Sequence, residues 1–281
     1  MTDGASSIRS NRVSALRLAA ITLTAPDLRE SERFYRWGLD LKPDEETSAD
    51  RRVLSWGRED RVLLVKPDGP GGEEALCLRM PARRLEEVAG WCRESRLDPE
   101  AVKVPPEEEA AAGEAWPDRR VEVETDDRAA NRIELRIRAP GGLMLELVFP
   151  LPAGTLVERG RMGPFSMRSG DRSGLEIPGL LGVRTGVPDP GALQDFAQRL
   201  GARPISEAEG EPLAVGDHQW ILEARERPGI YGFAVVVSAA RLGAVQRTLA
   251  HMDVQHRLDG QRLLTVDPGG RIVLIHGLRQ G

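Results

Sequence analysis

The chain has 281 residues, of which 40% are hydrophobic and 30% are charged, which excludes a disordered chain. Domains of about 100 to 150 residues are the norm, so this length predicts two domains. The net charge is −5 and basic residues are interleaved with acidic ones, so we expect no nucleic-acid partner.

Cysteine content and hydropathy bear on location. Cys77 and Cys92 are the two cysteines, too few for a disulfide framework, and they predict reduced thiols. The first eleven residues are polar, without an apolar run of signal-peptide length. The longest apolar stretch, residues 230–240, is shorter than the ~20 residues of a membrane span. We therefore expect a cytoplasmic protein with no membrane partner.

Strand and helix signals alternate along the first part of the chain. Residues 16–25 predict a strand, residues 28–37 a helix ending at Gly38, and residues 52–56 and 61–66 two short strands. The order then repeats with a strand at 75–80 and a helix at 85–95. Three further strands are predicted at 120–124, 132–137 and 144–149.

The second part of the chain repeats this order. Residues 180–187 predict a strand, 191–200 a helix with Gly201 as its C-cap, and 213–215 and 219–223 a strand pair. Another strand follows at 231–237, then a helix at 241–251. Strands at 262–266 and 271–276 flank a turn that begins at Asp267.

These repeats predict an α+β fold in which four βαβββ units pair into two domains with curled mixed sheets. The first domain is expected at residues 16–150 and the second at 178–281, with a linker at 151–177 and a disordered tail at 1–15. Each half is long enough for a core of its own. Each curled sheet is expected to enclose a concavity that holds a ligand.

Three stretches carry a resemblance to a known family. They are residues 25–39 (APDLRESERFYRWGL), 139–147 (APGGLMLEL) and 179–189 (GLLGVRTGVPD). With the repeat order, they resemble the vicinal oxygen chelate superfamily, which includes glyoxalases, bleomycin-resistance proteins and type I extradiol dioxygenases. The resemblance spans about residues 16–277 and implies two glyoxalase/dioxygenase-like domains.

Enzymes of this superfamily hold a divalent metal through His and Glu, or His, Gln and Glu, side chains that leave positions open for two substrate oxygens. The resemblance places the ligand positions at Ala20, about Ala75 and Glu146 in the first half. In the second half it places them at Gly182, about Gly232 and Leu274. Five of the six lack a donor atom, so we expect no metal cofactor. Glu146 is the one family-type ligand retained, and we interpret it as a strand-end carboxylate paired with an arginine.

The histidines carry the remaining chemistry. His218 and His256 lie in stretches similar to pocket segments of extradiol dioxygenases, so they are candidate catalytic residues that could transfer protons. The candidate ligand-binding residues from the same stretches and their surroundings are Trp220, Tyr231, Gln219 and Asp259. Leu264 stands where those enzymes carry a tyrosine. His251 and His276 are interpreted as structural or exposed.

Two functional classes remain open from the sequence. The first is a module that binds an aromatic or other small organic molecule in a cavity without the usual metal, as resistance proteins of the superfamily do. The second is an extradiol-like or glyoxalase-like enzyme. It would use histidine acid–base chemistry, or Fe(II) or Mn(II) held by ligands not identified above. The resemblance also implies a homodimer.

Overall fold

A computed structural model of the chain describes residues 16–44, 47–56, 60–69, 72–94, 97, 100–103, 132–150, 179–205 and 212–278. Its helices are α1 (Leu28–Arg33), α2 (Leu85–Glu94), α3 (Pro190–Leu200) and α4 (Ala239–His251). A π-helical turn (Phe34–Gly38) continues α1, and short 3₁₀ turns lie at Ala82–Arg84 and Pro140–Gly142. The predicted tail at 1–15, the linker at 151–177 and the strand at 120–124 lie outside the described residues. Within them, no helix is both long and apolar enough to span a membrane.

Two eight-stranded sheets make up the rest of the architecture. The first contains β1 (Arg17–Thr24), β2 (Lys42–Pro43), β3 (Arg51–Trp56), β4 (Asp60–Val65), β5 (Ala75–Arg79), β6 (Glu100–Lys103), β7 (Arg132–Arg138) and β8 (Met144–Pro150). The second contains β9 (Gly179–Val187), β10 (Arg203–Pro204), β11 (Leu213–Val215), β12 (His218–Ala224), β13 (Gly229–Ser238), β14 (His256–Asp259), β15 (Arg262–Val266) and β16 (Ile272–Leu278).

The two sheets have the same strand order. It is β2-β3-β4-β1-β5-β8-β7-β6 in the first and β10-β11-β12-β9-β13-β16-β15-β14 in the second. The first strand of each unit pairs in parallel with the last strand of its own unit, as β1 does with β4. Within each sheet, the first strands of the two units pair antiparallel, β1 with β5 and β9 with β13. The four βαβββ units, their pairing and the α+β class are therefore confirmed.

Four strands were not predicted from the sequence. Strands β2 and β10 have two residues each, and β6 and β14 have four. The two-residue strands are too short to display the alternation of apolar and polar residues on which strand prediction rests, and the four-residue sequences EAVK and HRLD do not alternate. The strand that pairs with β7 at the sheet edge is β6.

The main hydrophobic core spans both halves, although each half is long enough for a core of its own. The main cluster of buried apolar residues runs through both sheets and the helices. Trp91 on α2 and Phe196 on α3 lie with ring centroids 4.6 Å apart. Leu249 on α4 packs against Gly38 of the first half. We therefore expect the two halves to unfold together.

The turn between β15 and β16 joins the halves through buried polar groups, which we call the closing-turn cluster: Thr24, Tyr35, Glu74, Asp267 and Arg271. The Tyr35 hydroxyl donates to Asp267 Oδ2 at 2.7 Å. Arg271 Nη1 donates to the same oxygen at 3.0 Å, its Nη2 donates to the Thr24 carbonyl at 2.7 Å, and its Nε donates to Glu74 Oε1 at 3.0 Å. Two carboxylates from opposite halves thus share one guanidinium.

Burial sets the protonation states in this cluster. Burial raises the pKa of Tyr35 well above its ordinary value, and the negative charge of Asp267 raises it further. Burial alone would lower the pKa of Arg271, but the carboxylates of Glu74 and Asp267 outweigh that effect, so its pKa is raised. The tyrosine therefore stays a hydrogen-bond donor and the arginine stays charged.

The matching turn of the first half makes an apolar contact. Gly141 has a positive φ of 81° and lies against Val187 of β9, where a Cβ would come within 2.8 Å of Val187 Cβ. Its neighbour Gly142 lies against Pro228. Each half therefore docks its closing turn on the other, one turn through charges and one through apolar packing.

Candidate functional site

The strand register of the first sheet identifies the residues that share a row with the expected metal ligands. Ala20 on β1 pairs with Arg61 on β4 and with Cys77 on β5. Cys77 pairs in turn with Glu146 on β8, and Glu146 pairs with Arg136 on β7. The neighbour of Ala20 is therefore Cys77, two residues beyond the position expected from the sequence. We call this side of the sheet the inner face.

Glu146 faces an arginine, as its interpretation from the sequence required. Its Oε1 lies 3.3 Å from Nε of Arg136, and both side chains are partly buried. A guanidinium thus lies beside the one carboxylate that the row retains. Arg61, at the other end of the row, donates from Nη2 to Asp44 Oδ2 at 2.9 Å.

A buried apolar cluster occupies part of the inner face, and Thr22 and Ser55 are buried polar residues on the same side. A small cluster separate from the main core consists of Ala19, Ala20, Val53, Leu63, Cys77 and Val148. None of the six is more than 9% exposed. This part of the first half therefore offers packed hydrocarbon rather than an open concavity.

The equivalent row of the second sheet has no donor side chain at the expected ligand positions on β9, β13 and β16. It runs Gln219, Gly182, Ala234, Leu274, Leu264 and Arg257 across six adjacent strands. Gly182 stands at the first ligand position, and a Cβ there would lie 2.5 Å from the backbone oxygen of Gln219. The backbone therefore leaves no room for a histidine side chain at residue 182. We call this side of the sheet the open face.

Solved structures with the same architecture include two homoprotocatechuate 2,3-dioxygenases. A variant of the Brevibacterium fuscum protein in complex with HPCA superposes with a TM-score of 0.63 at 19% identity, covering 95% of this chain and 72% of that one. The Arthrobacter globiformis protein gives a TM-score of 0.63 at 16% identity, with coverage of 94% and 80%. This chain has the two-domain vicinal oxygen chelate fold. No family model and no curated protein sequence matches it.

The residues present do not fit the divalent metal that this fold family implies. Ala20, Cys77 and Glu146 provide one thiol and one carboxylate, and Arg136 already lies beside that carboxylate. The second-half row has only hydrogen or hydrocarbon at Gly182, Ala234 and Leu274. In the described parts of the chain, no three His, Cys, Asp or Glu side chains come together as a metal site would require.

The two histidines proposed as a catalytic pair lie far apart. His218 begins β12 and His256 begins β14, and four strands separate β12 from β14. At about 4.8 Å per strand step, that is roughly 24 Å along the sheet. Both residues also point to the core side, because their register partners Val215 and Thr265 are buried on that side. The structure therefore does not bring the two imidazoles together.

Each histidine has its own surroundings. His218 is buried where the halves meet, with Nε2 3.5 Å from Asp60 Oδ1, and neither ring nitrogen makes a hydrogen bond to another described residue. The other carboxylate oxygen of Asp60 accepts from the Leu180 amide at 2.8 Å. His256 Nδ1 lies 2.9 Å from the Val254 carbonyl oxygen. His218 therefore lies at the junction of the two halves, and His256 lies at the start of β14.

The four residues proposed to bind ligand divide between the two sides of the second sheet. Trp220 is in the core, where Nε1 donates to Thr185 Oγ1 at 2.8 Å. Tyr231 lies in a strand irregularity and its hydroxyl donates to a nearby backbone carbonyl at 2.9 Å. Gln219 and Asp259 are exposed, and their register partners place them on the open face.

The open face carries an exposed apolar strip that the sequence analysis did not identify. Leu264 and Val266 on β15 are 43% and 47% exposed, and Ile272 on β16 is 41% exposed. Val266 pairs directly with Ile272, and Leu264 pairs with the half-buried Leu274. Next to them, β13 presents only the small residues Gly232 and Ala234. The strip therefore borders a part of the sheet without large side chains, which we call the floor. We call Leu264, Val266, Ile272 and Leu274 the apolar strip.

A histidine and an arginine adjoin the apolar strip. His276 follows Leu274 on the same side of β16 and pairs with Arg262. Burial lowers the pKa of His276, and the positive charge of Arg262 lowers it further, so the imidazole is neutral at pH 7. Residues 262, 264 and 266 and residues 272, 274 and 276 alternate with buried neighbours. Every second residue of a strand lies on the same side, so the predicted strands 262–266 and 271–276 already grouped these side chains on one face.

Proposed function

We propose that the second half of this protein binds a small organic molecule on its open face, without the metal of the fold family. The observation that carries the proposal is the apolar strip. Three of its side chains are more than 40% exposed on two adjacent strands. Contiguous exposed apolar surface on a soluble domain commonly marks a binding site.

The shape of the face supports the same proposal. Strands β9 and β13 contribute only the small residues Gly182, Gly232 and Ala234 to it. The two glycines are buried against the backbone of Gln219 and Ile272, and Ala234 is half-buried, so no large side chain rises from this floor. Leu264 and Leu274 border this floor on one side, and Gln219 borders it on the other. In the solved homoprotocatechuate 2,3-dioxygenase, HPCA is the bound molecule. For this chain we infer only a small organic ligand with an apolar body.

The neutral dye N-phenyl-1-naphthylamine tests this proposal, because its fluorescence rises in an apolar environment. We expect saturable binding to the wild-type protein and a loss of affinity of about tenfold in Leu264→Asn, since a buried Leu contributes about 1.5–3 kcal/mol. Leu258→Asn is the matched control, because Leu258 is 44% exposed and lies on the opposite side of β14. Equal losses in both variants, or no saturable binding at all, would contradict the proposal.

The enzymatic alternative receives no comparable support. Proton transfer by a pair requires His218 and His256 at one site, and the strand order separates them. Metal chemistry requires a set of three donors, and neither row provides one among the described residues. The proposal therefore stays with binding.

A further inference from the structure

The edge of the open face next to the apolar strip is positively charged. Arg257 on β14 lies directly opposite Leu264, and Arg262 lies opposite His276. Both arginines are exposed. No ion pair joins either of them to another described residue, in contrast to Arg184, whose guanidinium pairs with Glu223 on the far side of the same face.

The two arginines can reach a common anion. Residues at diagonal positions of an antiparallel pair, such as Arg257 and Arg262, have side chains that start about 7 Å apart. Guanidinium groups on flexible stems can close that distance around one carboxylate, and their fork geometry suits it. The two arginines adjoin the apolar strip, so an anion held there would continue into an apolar contact.

We propose that the open face recognises an amphipathic anion, with its acid group between Arg257 and Arg262 and its apolar body on Leu264, Val266 and Ile272. The proposal rests on the proposed function and adds the chemical class of the ligand. Asp259 is the one acidic side chain directly opposite this pair, since it faces Arg262 across the hairpin. It opposes an anionic ligand, so its removal should tighten binding.

Two dyes of almost the same shape separate charge recognition from apolar binding. The first is 8-anilinonaphthalene-1-sulfonate, and N-phenyl-1-naphthylamine is the same skeleton without the sulfonate. We expect the double variant Arg257→Gln/Arg262→Gln to bind the sulfonate dye about tenfold more weakly and the neutral dye within about twofold of wild type. Asp259→Asn should bind the sulfonate dye more tightly. Added salt should weaken only the sulfonate dye, because exposed charges are screened.

Arg247→Gln provides the control, because Arg247 is an exposed arginine on α4, away from the open face. It should leave the affinity for both dyes unchanged. If the neutral dye binds the open face but the double variant leaves the sulfonate dye unaffected, the ligand class is wrong and the proposed function stands. If Arg247→Gln weakens the sulfonate dye as much as the double variant does, binding reflects overall charge and the inference fails. If neither dye binds the wild type, both proposals fail.

Discussion

The closing-turn cluster allows a direct test of how the two halves are held together. Replacing Arg271 by Met keeps an unbranched apolar side chain but removes the cation. The hydrogen bonds to Asp267, Glu74 and the Thr24 carbonyl are lost together. The side chain of Asp267 is 1% exposed and that of Glu74 is 19% exposed, so solvent compensates the first carboxylate poorly and the second only in part.

The expected cost follows from this burial. Removing one partner of a buried ion pair costs about 3–5 kcal/mol, because the remaining charge is left without compensation. Arg271 is itself 7% exposed and serves two carboxylates, so we expect a loss within that range. Adding Asp267→Asn to Arg271→Met should recover part of the loss, because an amide leaves no buried charge.

Urea denaturation at pH 7, followed by tryptophan fluorescence and far-UV circular dichroism, measures this loss. The surface control Arg247→Met should change the free energy of unfolding by no more than about 0.5 kcal/mol. The two probes should report one transition in the wild type, because one core spans both halves. A loss below about 1 kcal/mol for Arg271→Met would refute the reasoning, as would two separate transitions in the wild type.

Three further predictions concern buried groups. In a Tyr231→Phe background, Tyr35 should give no tyrosinate absorbance at 295 nm above pH 10 until the protein unfolds. Because the pKa of Tyr35 is higher in the folded than in the unfolded protein, burying the neutral phenol contributes fully to stability below the unfolded pKa, and this contribution is lost as the pH rises above it. Burial raises the pKa of Cys92 to about 11 from an ordinary 9.0. With the other cysteine replaced by serine, its thiolate absorbance at 240 nm should therefore have a midpoint near the higher value, and stability should fall as the pH rises from 9.0 through the folded pKa. A midpoint near 9.0 would contradict its burial. Gly182→Ala should lower the urea midpoint, because its Cβ would lie 2.5 Å from a backbone oxygen. In Gly243→Ala on α4 the nearest neighbour of the Cβ would be a side-chain nitrogen 3.6 Å away, so this control should raise the free energy of unfolding by up to about 1 kcal/mol. Equal effects of the two substitutions would contradict the close approach at residue 182.

The fold could be predicted from the sequence because its signals are local. Each βαβββ unit repeats a strand, a helix and further strands, and turn glycines such as Gly201 mark helix ends with their positive φ of 110°. The edge strands with two to four residues could not be predicted, because they are too short to show a periodic pattern or do not alternate between apolar and polar residues.

The site could be predicted only in part. The lack of metal-donor side chains at Ala20, Gly182 and Leu274 could be predicted, because the strands that carry these residues were identified from the sequence. The assignment of about Ala75 missed Cys77, because the partner of Ala20 depends on the pairing register of β1 with β5, in which Ala75 lies opposite Thr22. The placement of His218 depended on which side of β12 faces the core, and a single residue decides that.

The shared core and the closing-turn cluster were beyond the sequence for a different reason. Arg271 and Glu74 are 197 residues apart in the chain, and their contact depends on how the two sheets meet. The Asp267 turn was interpreted as a turn alone, although it also carries the charges that join the halves. Local patterns contain no information about such long-range pairing.

The metal content of the purified protein tests the central claim most directly. Protein incubated anaerobically with Fe(II), Mn(II) or Zn(II) and then desalted should retain far less than one ion per chain by elemental analysis, since neither ligand row offers three donors. One tightly held ion per chain that is lost in Glu146→Gln would contradict this account, because Glu146 would then coordinate a metal rather than face Arg136.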